Sequence, residues 1–387
     1  MNHMNSKTVI GLGVAAAIAI GIAAAISVSR KPVAETAQRA GEVLPGLSER
    51  INDVKRLSLT GPGQKRLVTL DRTEQGWTLA EKGGYRADAG KVREYLLKLS
   101  QSQLTEQKTA NEQRYAEIGV TDIGAADAKG VLVALEGLPQ PAQLIVGIVN
   151  ARGDSTYVRR AGEKQSWLAK GGLIPDKNAA NWLDKRIVDL PATRIREVAW
   201  TRPDGHSLRV VKDKAADTNY RLADVPKGRE AASEFAANSQ ATTLAGLNFD
   251  DVLPAAEAPP PADGKVYRAT FAGYDGIVVE MTGWKKNDAF QARFTARKDD
   301  AAFEASVAAA QAEPADAGKP AAADPAKDKA DRAARLDAEI TELAKRFDGW
   351  TFVLPAYKAA NFDKGAEEFL KPLPEKTAGA KKGATAK

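Results

Sequence analysis

DVKRLSLTGPGQKRLVTLDRTEQGWTLAEKGGYRADAGKVREYLLKLSQSQL, residues 53–104, sets the expected fold. Val54, Leu57 and Leu59 give DVKRLSLT alternating character, Gly61-Pro62-Gly63 marks a turn, and RLVTLDR (66–72) returns as a strand. Gln75-Gly76-Trp77-Thr78-Leu79 reads as a second turn and a short strand with an aromatic anchor. Asp88 then stands where a helix N-cap belongs. Beyond it Val92, Leu96 and Leu99 share one helical face with Tyr95 beside them, and Lys91, Arg93, Glu94 and Lys98 take the other. The stretch predicts a hairpin, a strand and an amphipathic helix covering a sheet.

The same order recurs downstream. Glu197-Val198-Ala199-Trp200 opens a strand, Pro203-Asp204-Gly205 turns, Ser207–Val211 returns, Tyr220-Arg221-Leu222 takes the place of Gly76–Leu79, and a helical stretch covers 229–245. Residues 53–104 and 197–253 therefore read as two diverged copies of one unit. Between them Val131–Leu135, Gln143–Val149 and Thr156–Arg159 read as strands, and Lys177–Leu190 as a helix ending before Pro191. A third β section holds 266–271, 277–281 and 289–295. The final helix, Asp331–Phe347, carries Leu336, Ile340, Leu343 and Phe347 as one stripe and ion pairs Asp331–Arg335 and Glu342–Arg346, before a strand at Trp350–Pro355. Residues 255–263 (AAEAPPPAD), 304–330 and 372–387 read as unfolded tethers.

At the amino end Thr8–Val28 (TVIGLGVAAAIAIGIAAAISV) has no charge and no proline. At 1.5 Å per residue it reaches about 30 Å as a helix, the thickness of a hydrocarbon core. It reads as an uncleaved membrane anchor, with a signal peptide cleaved near Ala23-Ala24-Ala25 as the alternative. Lys7 before it and Arg30, Lys31 and Arg39 after it leave the orientation open. Ala17, Gly21 and Ala25 form a small-residue series on one face that would let another membrane helix pack closely.

The expected architecture is α+β: an N-terminal transmembrane helix followed by repeated antiparallel hairpin–strand–helix units. Its segments are an anchor at 8–28, a linker at 29–52, a first unit with its β section and helix at 53–195, a second, repeat-like unit at 196–253 and a Pro-rich linker at 254–264. A third β section at 265–360 contains the low-complexity insert 304–330 and the closing helix, and 361–387 is a flexible basic tail.

Composition narrows the chemistry. The 387 residues contain no Cys and only His3 and His206, which removes thiol nucleophiles, Cys-ligated metals, Ser-His-Asp triads and multi-His sites. The formal charge of +6, from 56 basic against 50 acidic residues, is a slight excess rather than a nucleic-acid footprint. His206 falls in a predicted hairpin turn, where a lone histidine is a solvated side chain. Asp250-Asp251 lacks the spacing of a calcium loop, and Gly61-Pro62-Gly63 and Gly83-Gly84 lack the features of a phosphate loop. Trp77, Trp167, Trp182, Trp200 and Trp350 sit among apolar neighbours as core residues; Trp284, within Gly283-Trp284-Lys285-Lys286-Asn287, is the candidate exposed contact. No catalytic, cofactor or metal residue is expected.

A family resemblance rests on Gly76–Leu79 with Tyr85-Arg86-Ala87-Asp88, on Leu144-Ile145-Val146-Gly147 with Thr156-Tyr157-Val158-Arg159, on Asn181–Lys185 before Ile195–Val198, and on Gly349–Pro355 with Tyr357-Lys358. In their order these residues resemble the family called domain of unknown function 4340, over roughly residues 50–360. The resemblance implies an envelope protein at the inner (plasma) membrane with its large domain on the extracytoplasmic, periplasmic side. It also implies association with the membrane subunits of ABC-type transport systems, including the gliding-motility type. The expected function is a non-catalytic accessory or structural component of such an assembly. An envelope glycan-binding module and a carboxylate-dependent hydrolase are the alternatives.

Overall fold

The structure, a computed structural model, describes residues 41–312 and 324–372. They divide into two compact units, one of residues 41–81 and Arg86–Trp182, the other of Lys82–Tyr85 and the described residues from Leu183 onward.

The first sheet is built from β1 (Arg56–Thr60), β2 (Arg66–Thr73), β3 (Gly76–Leu79), β4 (Tyr85–Arg86), β5 (Leu104–Gln107), β6 (Val131–Glu136), β7 (Ala142–Val149), β8 (Ser155–Arg160) and β9 (Ser166–Lys170). Their order is β4-β3-β2-β1-β6-β7-β8-β9-β5. Leu57, Leu59, Val68, Leu70 and Leu79, alternating along β1–β3, are fully buried. Helix α1 (Ala89–Gln101) starts where Asp88 accepts hydrogen bonds from the backbone N–H groups of Gly90 and Lys91, at 2.9 and 3.1 Å. It lies against β3 and buries Val92, Tyr95, Leu96 and Leu99, each worth roughly 1.5–3 kcal/mol. Tyr95 meets Trp182 edge to face at 5.8 Å and donates its hydroxyl to the Leu173 carbonyl.

In the second unit β10 (Arg186–Val188) pairs with β14 (Leu247–Asn248) as a small separate sheet. The main sheet holds β11 (Ile195–Thr201), β12 (Ser207–Val211), β13 (Arg221–Leu222), β15 (Asp251–Pro254), β16 (Tyr267–Gly273), β17 (Ile277–Lys286), β18 (Ala289–Lys298) and β19 (Trp350–Leu354), ordered β13-β12-β11-β16-β17-β18-β19-β15. Helix α2 (Phe235–Ala241) lies against β11–β13, whereas α4 (Pro325–Phe347) and α5 (Ala356–Asp363) lie against β18. Helix α3 (Asp300–Ala312) contacts α4.

The two sheet orders are one topology. Apart from β4, each strand of the first sheet has a counterpart at the same place in the second, and the match holds in register. The cross-strand row Leu79–Leu70–Leu57–Leu135–Ala142 corresponds to Leu222–Val210–Val198–Phe271–Val279. The next row, Val68–Leu59–Val133–Leu144–Arg160, corresponds to Leu208–Trp200–Ala269–Met281–Phe294. The repeat expected over 53–104 and 197–253 thus extends through both sheets. The units differ most after β8 and β18. Arg160 and Ser166 are separated by a short turn, but α3 and α4 stand between Lys298 and Trp350.

Several expectations are corrected. The described residues form a mostly antiparallel β fold, in two large sheets and one small one, instead of the expected α+β architecture. Among the described residues no helix is long and apolar enough to cross a membrane. Thr8–Val28, with Ala17, Gly21 and Ala25, lies outside the described residues, as does most of the tail 361–387. Lys177–Leu190 is a loop, a short 3-10 turn and β10 rather than a helix. There Asp176 and Asn178 accept from the N–H groups of Asn178 and Ala180, and such local bonds compete with a helix. In the stretch 304–330 the described parts are helical: Phe303 and Val307, four residues apart, bury one face of alanine-rich α3, and Asp324 caps α4. Residues 255–263 are no free tether, because the Ala255 and Ala258 carbonyls are held by Arg293 and Ala258 is buried.

Candidate functional site

The first unit carries a groove of about 710 Å³ at one end of its sheet. Leu44, Pro45 and Leu47 form one wall, the β6–β7 turn with Leu138, Pro139 and Pro141 forms the other, and Ala142 and Arg160 lie between. Arg160 donates to the carbonyls of Val43 and Glu42 at 2.8 and 2.7 Å and contacts Glu163 at 3.4 Å, so it fastens the leucine wall to β8. Arg50, also lining the groove, is exposed and has no ion pair among the described residues. Its prolines carry no N–H, which leaves these walls poor in donors.

Arg159, the neighbour of Arg160, points to the opposite face of the sheet. There the connection from β5 to β6 crosses over and buries Tyr115, Val120 and Ile145 in a small cluster. The Arg159 side chain is 4% exposed. It donates to the carbonyls of Val120 (3.0 Å) and Glu163 (2.9 Å) and to Asp122, and its guanidinium stands 4.6 Å from the Tyr115 ring centre. In the repeat register Arg159 corresponds to Arg293. Arg293 does the same work in the second unit: it donates to the Ala255 and Ala258 carbonyls and to Thr351, and lies 5.7 Å from the Trp284 ring. Each sheet therefore carries one arginine that clamps its crossover connection beneath an aromatic contact.

Two polar clusters in the second unit resemble catalytic groupings. Lys364 donates to Ser239 Oγ at 3.2 Å and to Asn361 Oδ1 at 2.8 Å, and burial pushes its ammonium pKa down. Ser239 in turn donates to Asn361 Oδ1 at 3.0 Å. Nearby Lys358, also lowered by burial, donates to the carbonyls of Thr242, Thr243 and Ala245, each at 3.0 Å. These are carbonyls at the end of α2, where a cation is favourable. In the other cluster Asp363 accepts from Tyr267 (2.6 Å) and Lys285 (2.7 Å). Burial alone would raise the Asp363 pKa, but the bonds from Lys285 and Tyr267 outweigh it and hold the carboxyl below the usual range. Both clusters fasten α5 to its surroundings and engage the groups that a reaction would need free. A second concavity of about 490 Å³, lined by Arg209, Asp224 and Arg268, opens on the second sheet.

Trp284 corrects the expectation of an exposed contact. It is 2% exposed, and its indole N–H donates to Gln291 at 2.9 Å on β18. Trp182 and Trp200 are buried and Trp77, Trp167 and Trp350 half-buried. His206 is exposed in its turn beside Asp204. Asp251 pairs with Lys82 at 2.6 Å, and among the described residues no group of three or more His, Asp and Glu is placed to hold a metal ion. Sequence reasoning missed Arg159, Arg160 and Arg293. A signal was present: Thr156, Val158 and Arg160 alternate with Tyr157 and Arg159, so either face of β8 receives an arginine.

Two antiparallel sheets of one topology, each strapped by its own crossover, define a tandem β protein. The family model described as Domain of unknown function (DUF4340) matches residues 77–268, from β3 of the first unit to β16 of the second. Through this stretch the chain belongs to that family, as its motifs between Gly76 and Val198 implied. No curated protein and no solved structure matches the chain.

Proposed function

We propose that the chain is a non-catalytic accessory component of an ABC-type transport assembly in the envelope, working at the plasma membrane from its extracytoplasmic side. The observation that carries this reading is where the reactive side chains go. Lys364, Ser239, Lys358, Tyr267, Asp363 and Lys285 are spent on holding α5 in place. The 710 Å³ groove is walled instead by leucine, proline and arginine, and its carboxylate, Glu163, is engaged by Arg160. That composition suits the docking of a polypeptide better than proton transfer. The uncharged stretch Thr8–Val28 supports the membrane location, and the family resemblance supports the transport partner. The glycan alternative has weaker support, because the exposed aromatics Phe235 and Tyr357 lie outside both concavities.

The test is isolation of the full chain from native membranes after mild crosslinking. Recovery with a transporter permease or ATPase is expected. A full-length chain found in the soluble fraction with neither would refute the proposal, as would a turnover activity abolished by substituting one Asp or Glu.

A further inference from the structure

The internal repeat says what belongs in the groove. In register, Arg160 occupies the position of Phe294 and Ala142 that of Val279. In the second unit this corner of the sheet is not open. Helix α4 lies along β18 with Phe347 against Phe294, ring centres 5.5 Å apart. Its Glu339 meets the guanidinium of Arg194 through two oxygens at 2.8 and 3.0 Å, and Arg194 also holds Asp275 in the β16–β17 turn. Helix α3 brings Phe303 against Gly276 of that same turn. In the first unit the corresponding turn is Leu138–Pro141, one wall of the groove, and no helical insertion follows β8. Val279, which is fully buried, corresponds to the smaller and only half-buried Ala142.

We propose that the groove of the first unit is the docking site of an amphipathic, acidic helix of a partner polypeptide. Bound there, it takes in trans the place that α4 takes in cis. This assignment rests on reading the chain as an interaction component and names the partner's chemistry. An apolar stripe with residues three and four apart covers Leu138, Pro141 and Ala142, the accessible apolar side chains of the groove, as Leu336 and Phe347 serve the second sheet. A carboxylate on its flank meets Arg50, as Glu339 meets Arg194. The proline-lined walls favour a helix, which brings its backbone hydrogen bonds with it, over an added strand that needs donors from the groove.

The experiment places a photo-crosslinking amino acid at Gln140, on the groove rim, in the full chain in its native cells, with a second site at exposed Phe235 as reference. The expected result is an adduct at position 140 with another polypeptide, mapped to a segment of helical apolar periodicity bearing Asp or Glu. Arg50→Glu is expected to lower that yield at least fivefold and Arg50→Gln to lower it less, with the yield at position 235 unchanged. An adduct at 140 with lipid, glycan, the same chain or a second copy overturns the proposal, as does no adduct or a yield indifferent to Arg50→Glu. A partner captured at 235 but not at 140 sinks the groove and leaves the interaction reading standing; capture at neither site removes both.

Discussion

Replacing Arg159 by alanine tests whether one side chain holds the first crossover. Its donors serve two carbonyls, Val120 and Glu163, and each such bond is worth about 1 kcal/mol net, more if the acceptor is left buried and unpaired. The contact with Asp122 adds little, because that carboxylate is 78% exposed. The Tyr115 ring adds about 1 kcal/mol. The sum is about 3 kcal/mol, or roughly a hundredfold in a local opening equilibrium at 1.4 kcal/mol per factor of ten. The assay is amide hydrogen exchange on the full chain. The reporters are Val120, whose N–H donates to the Tyr115 carbonyl, and Gly63 and Gln64, whose N–H groups donate to the Ala125 and Ile123 carbonyls. All three should exchange about two orders of magnitude faster in Arg159→Ala, while the β1–β2 ladder changes far less. Arg159→Lys should recover only part, since an ammonium has no planar fork to span three acceptors. Unchanged exchange at these reporters, or equal acceleration across the whole sheet, would refute the clamp.

Three further outcomes follow from the packing. A Cβ at Gly147 would run into the Ile118 carbonyl, so Gly147→Ala should destabilise the first unit by about 2 kcal/mol, read as a lower urea midpoint with Tyr115 more accessible to quencher. Arg194→Ala removes the bidentate hold on Glu339 and the contact with Asp275; it should cost about 1–2 kcal/mol and speed proteolysis within α4 several-fold. Asp363 has a folded pKa below the unfolded value of about 3.9, so its contribution is fully present above that pH and is lost as pH falls through the folded value. The urea-midpoint gap between the natural chain and Asp363→Asn should therefore be constant near neutrality and shrink below about pH 3.9; a gap independent of pH would count against the Lys285–Asp363–Tyr267 cluster.

What was legible from sequence were the elements whose signals are local. Asp88 caps α1, and Val92, Leu96 and Leu99 face inward because both effects need only a dozen neighbouring residues. The hairpins at Gly61–Gly63 and Pro203–Gly205 are visible for the same reason. The pairings of β6 with β1 and of β16 with β11 are contacts across long sequence separations, and they turn two hairpin units into two complete sheets. The helix expected over 177–190 failed because Asp176 and Asn178 spend their carboxamide and carboxylate oxygens on nearby N–H groups. Trp284 looked exposed because lysines follow it, yet strand alternation places its ring beside Gln291 and Arg293 under the 255–258 segment. The groove was invisible in sequence, since its walls come from residues almost a hundred positions apart.

The substitutions between the two copies separate what the sheet needs from what its surroundings need. Positions inside both sheets stay apolar: Leu57 and Val198, Leu70 and Val210, Leu79 and Leu222 are interchangeable branched side chains within one pleated face. Arg159 and Arg293 stay arginine, because a crossover must be tied down wherever it lies over a sheet and its carbonyls need a donor of that shape. Arg160 and Phe294 do not match, and that is the position where one copy is covered by a helix of its own chain. Had the sheet alone dictated that residue, a buried aromatic would suit both copies. A partly exposed arginine that ties down the Glu42 and Val43 carbonyls stands there instead, beside a turn whose Leu138, Pro139, Pro141 and Ala142 stay accessible, and covering those apolar side chains is the gain that a bound helix would bring.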